Sequence, residues 1–247
     1  MSDALIAETI TITSGNGDTI EAYSARALDE APRGGVVVIH HLPGYDDATK
    51  EIARRFAAEG YNAVMPNLYH RQAPGASPDD AAATARAQGG IPDQQLVDDV
   101  AGSVSYLKGL PNSNGKAGTI GYCSGGRQSF LAAVSLDLDA AVDCYGAFVT
   151  GTIPEGFPLK VTTLVDKTPD LSCPLLGLFG DEDAHPSPAE VNELEGALKA
   201  AGKPYEFHRY PNAGHAFFSV NRPAYRVEAA NDGWEKIFAF YGKYLSA

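Results

Sequence analysis

A cysteine flanked by glycines is the residue pattern with the sharpest chemistry in this sequence. The hexapeptide GYCSGG, residues 121–126, directly follows an apolar run and precedes a helical pattern. It matches the nucleophile-elbow pattern G-x-S-x-G, with Cys123 in the position of serine. The glycines permit a tight, strained turn that exposes the sulfur and points the first helix amides at the reaction centre. The pattern predicts a nucleophilic Cys123, and its alternative is a buried cysteine in a glycine-rich turn.

A carboxylate and a histidine downstream complete the order nucleophile, acid, base that accompanies this elbow. His215 lies in a loop after a strand pattern, and we predict that it is the base, whereas His208 alternates within that strand. The acid is expected after the preceding strand, where three carboxylates compete. Spacing favours Asp183, with Asp181 as the alternative. We interpret the other two cysteines, at 144 and 173, as core residues, because buried free cysteine is common.

The adjacent histidines His40 and His41 could instead indicate a metal site. Adjacent side chains on a strand point to opposite faces, so they rarely bind one ion, and no third ligand lies at a helpful spacing. The sequence therefore predicts no metal and no cofactor.

The elements that would position these residues alternate between strands and helices. The strand patterns are 8–13, 19–27, 35–40, 61–65, 116–121, 140–144, 174–179 and 205–210, and the helix patterns are 49–59, 93–110, 124–135, 188–201 and 224–245. The first two strands read as an antiparallel hairpin, and the apolar later strands are typical of a parallel sheet covered on both faces. We predict that residues 71–92 form an excursion over the sheet edge, and that residues 151–171 form a lid or a connecting loop. We predict one α/β domain spanning 1–247.

Charge and composition limit the partners. The 247 residues carry 19 basic and 31 acidic side chains, a net charge of −12. This acidity argues against nucleic-acid binding and against docking on anionic membranes. No apolar run approaches the roughly 18 residues of a membrane span. Residues 1–8 lack a signal-peptide pattern, and three scattered cysteines cannot form a disulfide framework. We therefore expect a cytoplasmic protein that is a monomer or small homo-oligomer.

These motifs resemble those of the dienelactone hydrolase (carboxymethylenebutenolidase) family of α/β hydrolases. The resemblance rests on the elbow, Asp183 and His215, and on three longer segments, 66–75, 113–126 and 213–217. It extends from about residue 36 to the final helix. It implies an α/β-hydrolase fold with a mostly parallel central sheet, helices on both faces and an N-terminal antiparallel hairpin.

The resemblance also implies roles for residues beside the triad. The backbone N–H groups of Leu42 and Ser124 would hold the oxyanion, and Arg71 would hold a substrate carboxylate. His41 stands where the family has a glutamate that contacts the resting thiol, and we expect His41 to contact the substrate. Ser219 stands where the family has an arginine, for which Arg222 could substitute.

The sequence thus predicts a cysteine-dependent hydrolase that cleaves lactones or activated carboxylic esters through an acyl thioester. Its substrate is a small molecule, with or without a carboxylate. Two alternatives stay open. One is a non-catalytic or redox-sensing protein with a reactive Cys123, and the other is a broad-specificity carboxylesterase.

Overall fold

The strands and helices alternate along the chain as the sequence pattern predicts. A computed structural model describes residues 4–246. The strands are β1 (Leu5–Thr13), β2 (Thr19–Ala27), β3 (Arg33–Ile39), β4 (Asn62–Pro66), β5 (Ser113–Tyr122), β6 (Ala140–Cys144), β7 (Leu175–Gly180) and β8 (Tyr205–Tyr210). The helices are α1 (Asp47–Ala58), α2 (Pro78–Ala87), α3 (Asp93–Lys108), α4 (Ser124–Ala133), α5 (Pro188–Ala200) and α6 (Val227–Tyr244).

All eight strands join one sheet in the order β1-β2-β4-β3-β5-β6-β7-β8. β1 and β2 form the predicted antiparallel hairpin, and β2 also pairs antiparallel with β4. The pairs from β4 through β3 to β8 are all parallel. The predicted α/β-hydrolase architecture is therefore confirmed, while its division into one domain stays a prediction.

Strand β3 is buried on both faces because helices cover both sides of the sheet. On β3, Val36 and Val38 join a core cluster with aromatic residues of α1 and α6. Their neighbours Val37 and Ile39 point to the other face, into a cluster with leucines of α3 and α5. This alternation within a continuously apolar strand is the signature of a strand buried on both sides. No helix within residues 4–246 combines the length and apolar character needed to cross a bilayer.

The two segments that lack a clear sequence pattern each contain a helix in the structure. The excursion 71–92 contains helix α2, which begins at the Ser77 cap and packs through Ala81, Ala82 and Ala85. The 151–171 segment contains a 3₁₀ helix at Val165–Asp170. The segment also contacts the excursion, since the Lys160 N–H donates to the Gly89 carbonyl at 2.7 Å. Its role as a lid stays a prediction.

Candidate active site

Cys123 occupies a strained turn between β5 and α4. Its φ of 59° lies in the left-handed region, which side chains other than glycine rarely adopt. The neighbouring glycines are sterically required: a Cβ on Gly121 would overlap the Gly125 carbonyl, and one on Gly125 would overlap the Ile39 carbonyl. The turn therefore packs tightly against the end of β3 and leaves the Cys123 side chain partly exposed.

His215 and Asp183 meet at the same edge of the sheet. His215 Nδ1 lies 2.7 Å from Asp183 Oδ2, and the Asp183 carboxylate is 2% exposed. The other oxygen, Oδ1, accepts the His185 backbone N–H at 3.0 Å. Both carboxylate oxygens thus have partners, and the carboxylate orients the imidazole as the acid of a triad would.

The loops that carry these two residues are tied together by backbone hydrogen bonds. The Asp181 N–H donates to the Tyr210 carbonyl at 3.0 Å, and the Glu182 N–H donates to the Ala213 carbonyl at 2.9 Å. Asp181 itself is exposed. Between the two alternatives from the sequence, the structure brings Asp183 to His215. His208 lies on the edge strand β8, where its Nε2 is 2.6 Å from Glu206 Oε1.

The electrostatics of His215 favour its protonated form. Burial lowers the pKa of His215, but hydrogen bonds with Asp183 and Cys123 and the negative charge of both groups outweigh burial and raise it to about 10. The imidazole that Asp183 contacts at Nδ1 thus also interacts with Cys123.

The resemblance implies two backbone N–H groups, those of Leu42 and Ser124, as donors to an oxyanion. Ser124 begins α4, so its N–H has no acceptor within the helix. Leu42 lies in the loop after β3. Within residues 4–246, neither N–H donates to a loop or turn carbonyl. Both stay available to an incoming carbonyl oxygen.

The peptide unit that carries the Leu42 N–H is held from its other side. Its carbonyl, that of His41, lies 2.9 Å from His40 Nδ1 and also accepts the Gly44 N–H at 2.9 Å. In a trans peptide the N–H points away from the carbonyl, so these bonds fix the donor's direction. His40 Nε2 in turn accepts the Leu68 N–H at 3.2 Å. Burial lowers the pKa of His40 to about 4, which keeps this ring neutral.

Two cavities flank this constellation. The larger, about 550 Å³, has largely apolar walls that include Ile52, Tyr122, Tyr145 and Trp234. The smaller, about 40 Å³, is lined by both Leu42 and Ser124 among others. Neither lining, as described for residues 4–246, includes Cys123, Asp183 or His215, which places the triad beside the cavities.

Comparison with known proteins agrees with this geometry. Residues 20–245 match the model of the dienelactone hydrolase family. A protein of Escherichia coli (strain K12), provisionally named carboxymethylenebutenolidase, is 34% identical over 248 residues, covering 98% of this chain and 89% of the relative. The carboxymethylenebutenolidase of Pseudomonas putida is 30% identical over 231 residues, 92% of each chain. The chain belongs to the dienelactone hydrolase family. It is accordingly a hydrolase.

A solved structure gives the same result. The crystal structure of a Klebsiella pneumoniae subsp. pneumoniae protein, provisionally named dienelactone hydrolase, superposes with a TM-score of 0.86. The two share 32% sequence identity, covering 98% of this chain and all of the other. The family resemblance read from the sequence is thereby confirmed.

Arg71, which the resemblance implies as the anchor for a substrate carboxylate, is held by two carboxylates of the protein. Its Nη1 and Nη2 each lie 3.0 Å from an oxygen of the fully buried Asp99, and its Nε donates to Asp18 at 2.8 Å. Like the triad, Arg71 lies outside the linings of the two cavities, as described for residues 4–246. Its role in holding a substrate carboxylate stays a prediction.

The two residues that depart from the family pattern, His41 and Ser219, both line the large cavity. His41 lines the large cavity, and its Nε2 lies 3.2 Å from Asp46 Oδ2. Ser219 lines the same cavity. Arg222 is exposed and lies outside both linings within the described residues, and its role as a substitute anchor stays a prediction.

Three residues near the site were missed by the sequence analysis. The Tyr69 hydroxyl donates to the Leu42 carbonyl at 2.8 Å. The ring of Tyr145 packs against that of His215 with centroids 5.2 Å apart. Gln128 lines the small cavity. Tyr69 and Tyr145 each follow a strand, which is the signal that could have found them, whereas nothing in the sequence distinguishes Gln128.

Proposed function

We propose that this chain is a cysteine-dependent hydrolase of lactones or activated carboxylic esters that works through an acyl thioester on Cys123. One observation carries the proposal. His215 contacts Asp183 at 2.7 Å through one nitrogen and also interacts with Cys123 at the elbow. The names of the Escherichia coli and Pseudomonas putida relatives support a lactone or ester as substrate.

Acylation begins from the thiolate–imidazolium pair. The Cys123 sulfur attacks the carbonyl carbon, and the carbonyl π electrons move to oxygen, where the N–H groups of Leu42 and Ser124 donate to the oxyanion. The adduct collapses with cleavage of the ester C–O bond, and the departing oxygen takes the proton of His215. The products are an acyl thioester and an alcohol or enol. In a lactone both remain in one molecule.

Deacylation needs a neutral His215. In the thioester Cys123 carries no charge, so one of the two partners that raise the pKa of His215 is lost. The imidazole then takes a proton from water, and the hydroxide adds to the thioester carbonyl. When the C–S bond breaks, the thiolate returns beside the imidazolium and the carboxylic acid leaves.

The chemistry of sulfur limits the substrates. A thiolate is a good leaving group, so the tetrahedral adduct reverts unless the substrate's own leaving group is also good. This favours enol lactones and activated esters over amides. The engagement of Arg71 by Asp18 and Asp99 supports substrates whether or not they bear a carboxylate. That observation favours a broad carboxylesterase as the second candidate function.

The proposal also covers the cellular compartment and the oligomeric state. Three free cysteines fit a reducing compartment, so we place the protein in the cytoplasm as a single-domain monomer or small homo-oligomer. Its substrate is a small molecule.

The decisive experiment compares wild type with Cys123→Ala, and uses Cys173→Ala as a matched control at a buried cysteine outside the site. We expect wild type and Cys173→Ala to hydrolyse an enol lactone and an aryl ester, and Cys123→Ala to lose this turnover. Rapid-quench mass spectrometry should also detect the acyl group on Cys123. Equal rates in wild type and Cys123→Ala would overturn the proposal. Peroxide-dependent modification of Cys123 without turnover would favour the redox-sensing alternative.

A further inference from the structure

Chain neighbours line opposite cavities on the two sides of the nucleophile. His41 lines the large cavity and Leu42 the small one. In the same way Tyr122 lines the large cavity and Ser124 the small one, with Cys123 between them. The reacting carbon of a substrate attacked by Cys123 must therefore lie between the two cavities.

The small cavity has room for only a short substituent. Its volume is about 40 Å³, and its walls include Tyr69, Ile91, Leu159 and Val161. A site for one water needs on the order of 10–15 Å³, so this space holds about three groups of that size. Because both proposed oxyanion donors line it, the carbonyl oxygen enters here together with whatever is attached closely to the carbonyl carbon.

The large cavity lies on the side of the proton donor. Tyr145, one of its lining residues, packs its ring against His215 with centroids 5.2 Å apart. The oxygen that departs takes its proton from His215, so it leaves toward this side. With about 550 Å³ and apolar walls from Ile52, Phe218 and Trp234, the cavity accepts a bulky aromatic or unsaturated group.

We propose that these two cavities divide the substrate: the small one is the acyl subsite and accepts only short acyl groups, and the large one holds a bulky apolar leaving group. This assignment rests on the proposed function and adds the substrate's shape. It also names Leu159, from the segment 151–171, as a residue that limits acyl length.

The first test measures kcat/KM along two series of esters. One lengthens the acyl group of phenyl esters from acetyl to hexanoyl, and the other changes the leaving group of acetates from phenyl to 4-biphenylyl, a phenol of similar acidity. We expect a loss on the order of tenfold or more along the acyl series and little change along the second. Equal tolerance in both series, or the reverse order, would overturn the assignment. The proposed function requires only that hydrolysis depends on Cys123. Hydrolysis at an equal rate in Cys123→Ala would be a separate result, and it would overturn both the proposed function and the assignment of the cavities.

The second test enlarges the acyl subsite. Leu159→Ala should raise kcat/KM for butanoate relative to acetate on the order of tenfold. Leu136→Ala is the matched control, since Leu136 is a half-buried leucine outside both linings within the described residues. Thermal unfolding confirms that each variant folds. An unchanged butanoate-to-acetate ratio in folded Leu159→Ala would contradict the assignment.

Discussion

A single buried carboxylate orients the imidazole of His215. Asp183 is buried and contacts His215 Nδ1 at 2.7 Å, whereas Asp181, two residues earlier, is exposed. Both carboxylates follow β7, so the sequence could place an acid in this loop. It could not choose between the two, because the choice depends on how the loop packs against the next one.

Asp183→Asn tests this choice, with Asp181→Asn as its matched control. The amide leaves the imidazole without an anionic partner, so we expect kcat to fall by roughly 10²–10⁴-fold, with Asp181→Asn close to wild type. Steady-state kinetics with an aryl ester measure both. If Asp181→Asn is instead the inactive variant, the assignment of the acid is wrong.

The pH dependence follows from the two partners of His215. Their hydrogen bonds and charges outweigh burial and raise the pKa of His215 to about 10. The imidazolium is thus favoured in the folded state, so its stabilisation is complete below the unfolded pKa of about 6.5 and is lost as pH rises toward 10. Cys123→Ala removes one partner and should lower the pKa of His215.

NMR titration of the His215 ring in wild type and Cys123→Ala measures this shift. We expect the wild-type ring to titrate at higher pH than the variant ring, and the free energy of unfolding of wild type to decline more between pH 7 and 10. An identical His215 titration in the two proteins would show that Cys123 does not share the imidazole's proton.

At the scale of elements, hydrogen bonds hold the loop between β3 and α1, which carries one of the two oxyanion donors that we propose. The His41 carbonyl accepts from His40 and Gly44, and the Leu42 carbonyl accepts from the Tyr69 hydroxyl. These bonds fix both peptide units around the Leu42 N–H. Preorganised donors of this kind stabilise a transition state without reorganising during the reaction.

Tyr69→Phe removes one of these supports while keeping the ring. We expect kcat to fall on the order of tenfold with a small change in KM, because the Leu42 N–H acts mainly on the oxyanion. Tyr106→Phe is the control, since the Tyr106 hydroxyl bonds Ser24 at 3.0 Å away from both cavities. A rise in KM with unchanged kcat would show that Tyr69 contacts substrate instead of positioning the loop.

The sequence predicted elements with strong periodicity and missed those without it. β2, β6 and β8 have the predicted bounds, because turn residues delimit their apolar or alternating runs. Helix α2 was missed, because its buried face is made only of alanines and gives a weak pattern. The elbow was predicted because a local glycine pattern specifies it. Contacts such as Tyr69 to Leu42 join residues 27 positions apart, and no local pattern specifies them.

At the scale of the whole molecule, an ionic cluster around one buried carboxylate joins the hairpin, the excursion and α3. Asp99 on α3 is fully buried and accepts bonds from Arg71 and from the Ser14 hydroxyl, and Asp18 completes the cluster. Ser14 and Asp18 belong to the hairpin turn. The resemblance identified Arg71 as a functional residue but could not reveal these carboxylate partners, which come from distant parts of the chain.

Arg71→Ala distinguishes a structural role of Arg71 from a role in binding substrate. Removing the guanidinium leaves a buried carboxylate without its cation, so we expect a loss of roughly 3 kcal/mol in the free energy of unfolding, measured by urea denaturation. Arg86→Ala, at an exposed arginine of α2, should change stability little. For esters with and without a carboxylate, KM should respond equally to Arg71→Ala. A KM increase confined to the carboxylate-bearing ester, with stability unchanged, would instead show that Arg71 leaves the cluster to bind substrate.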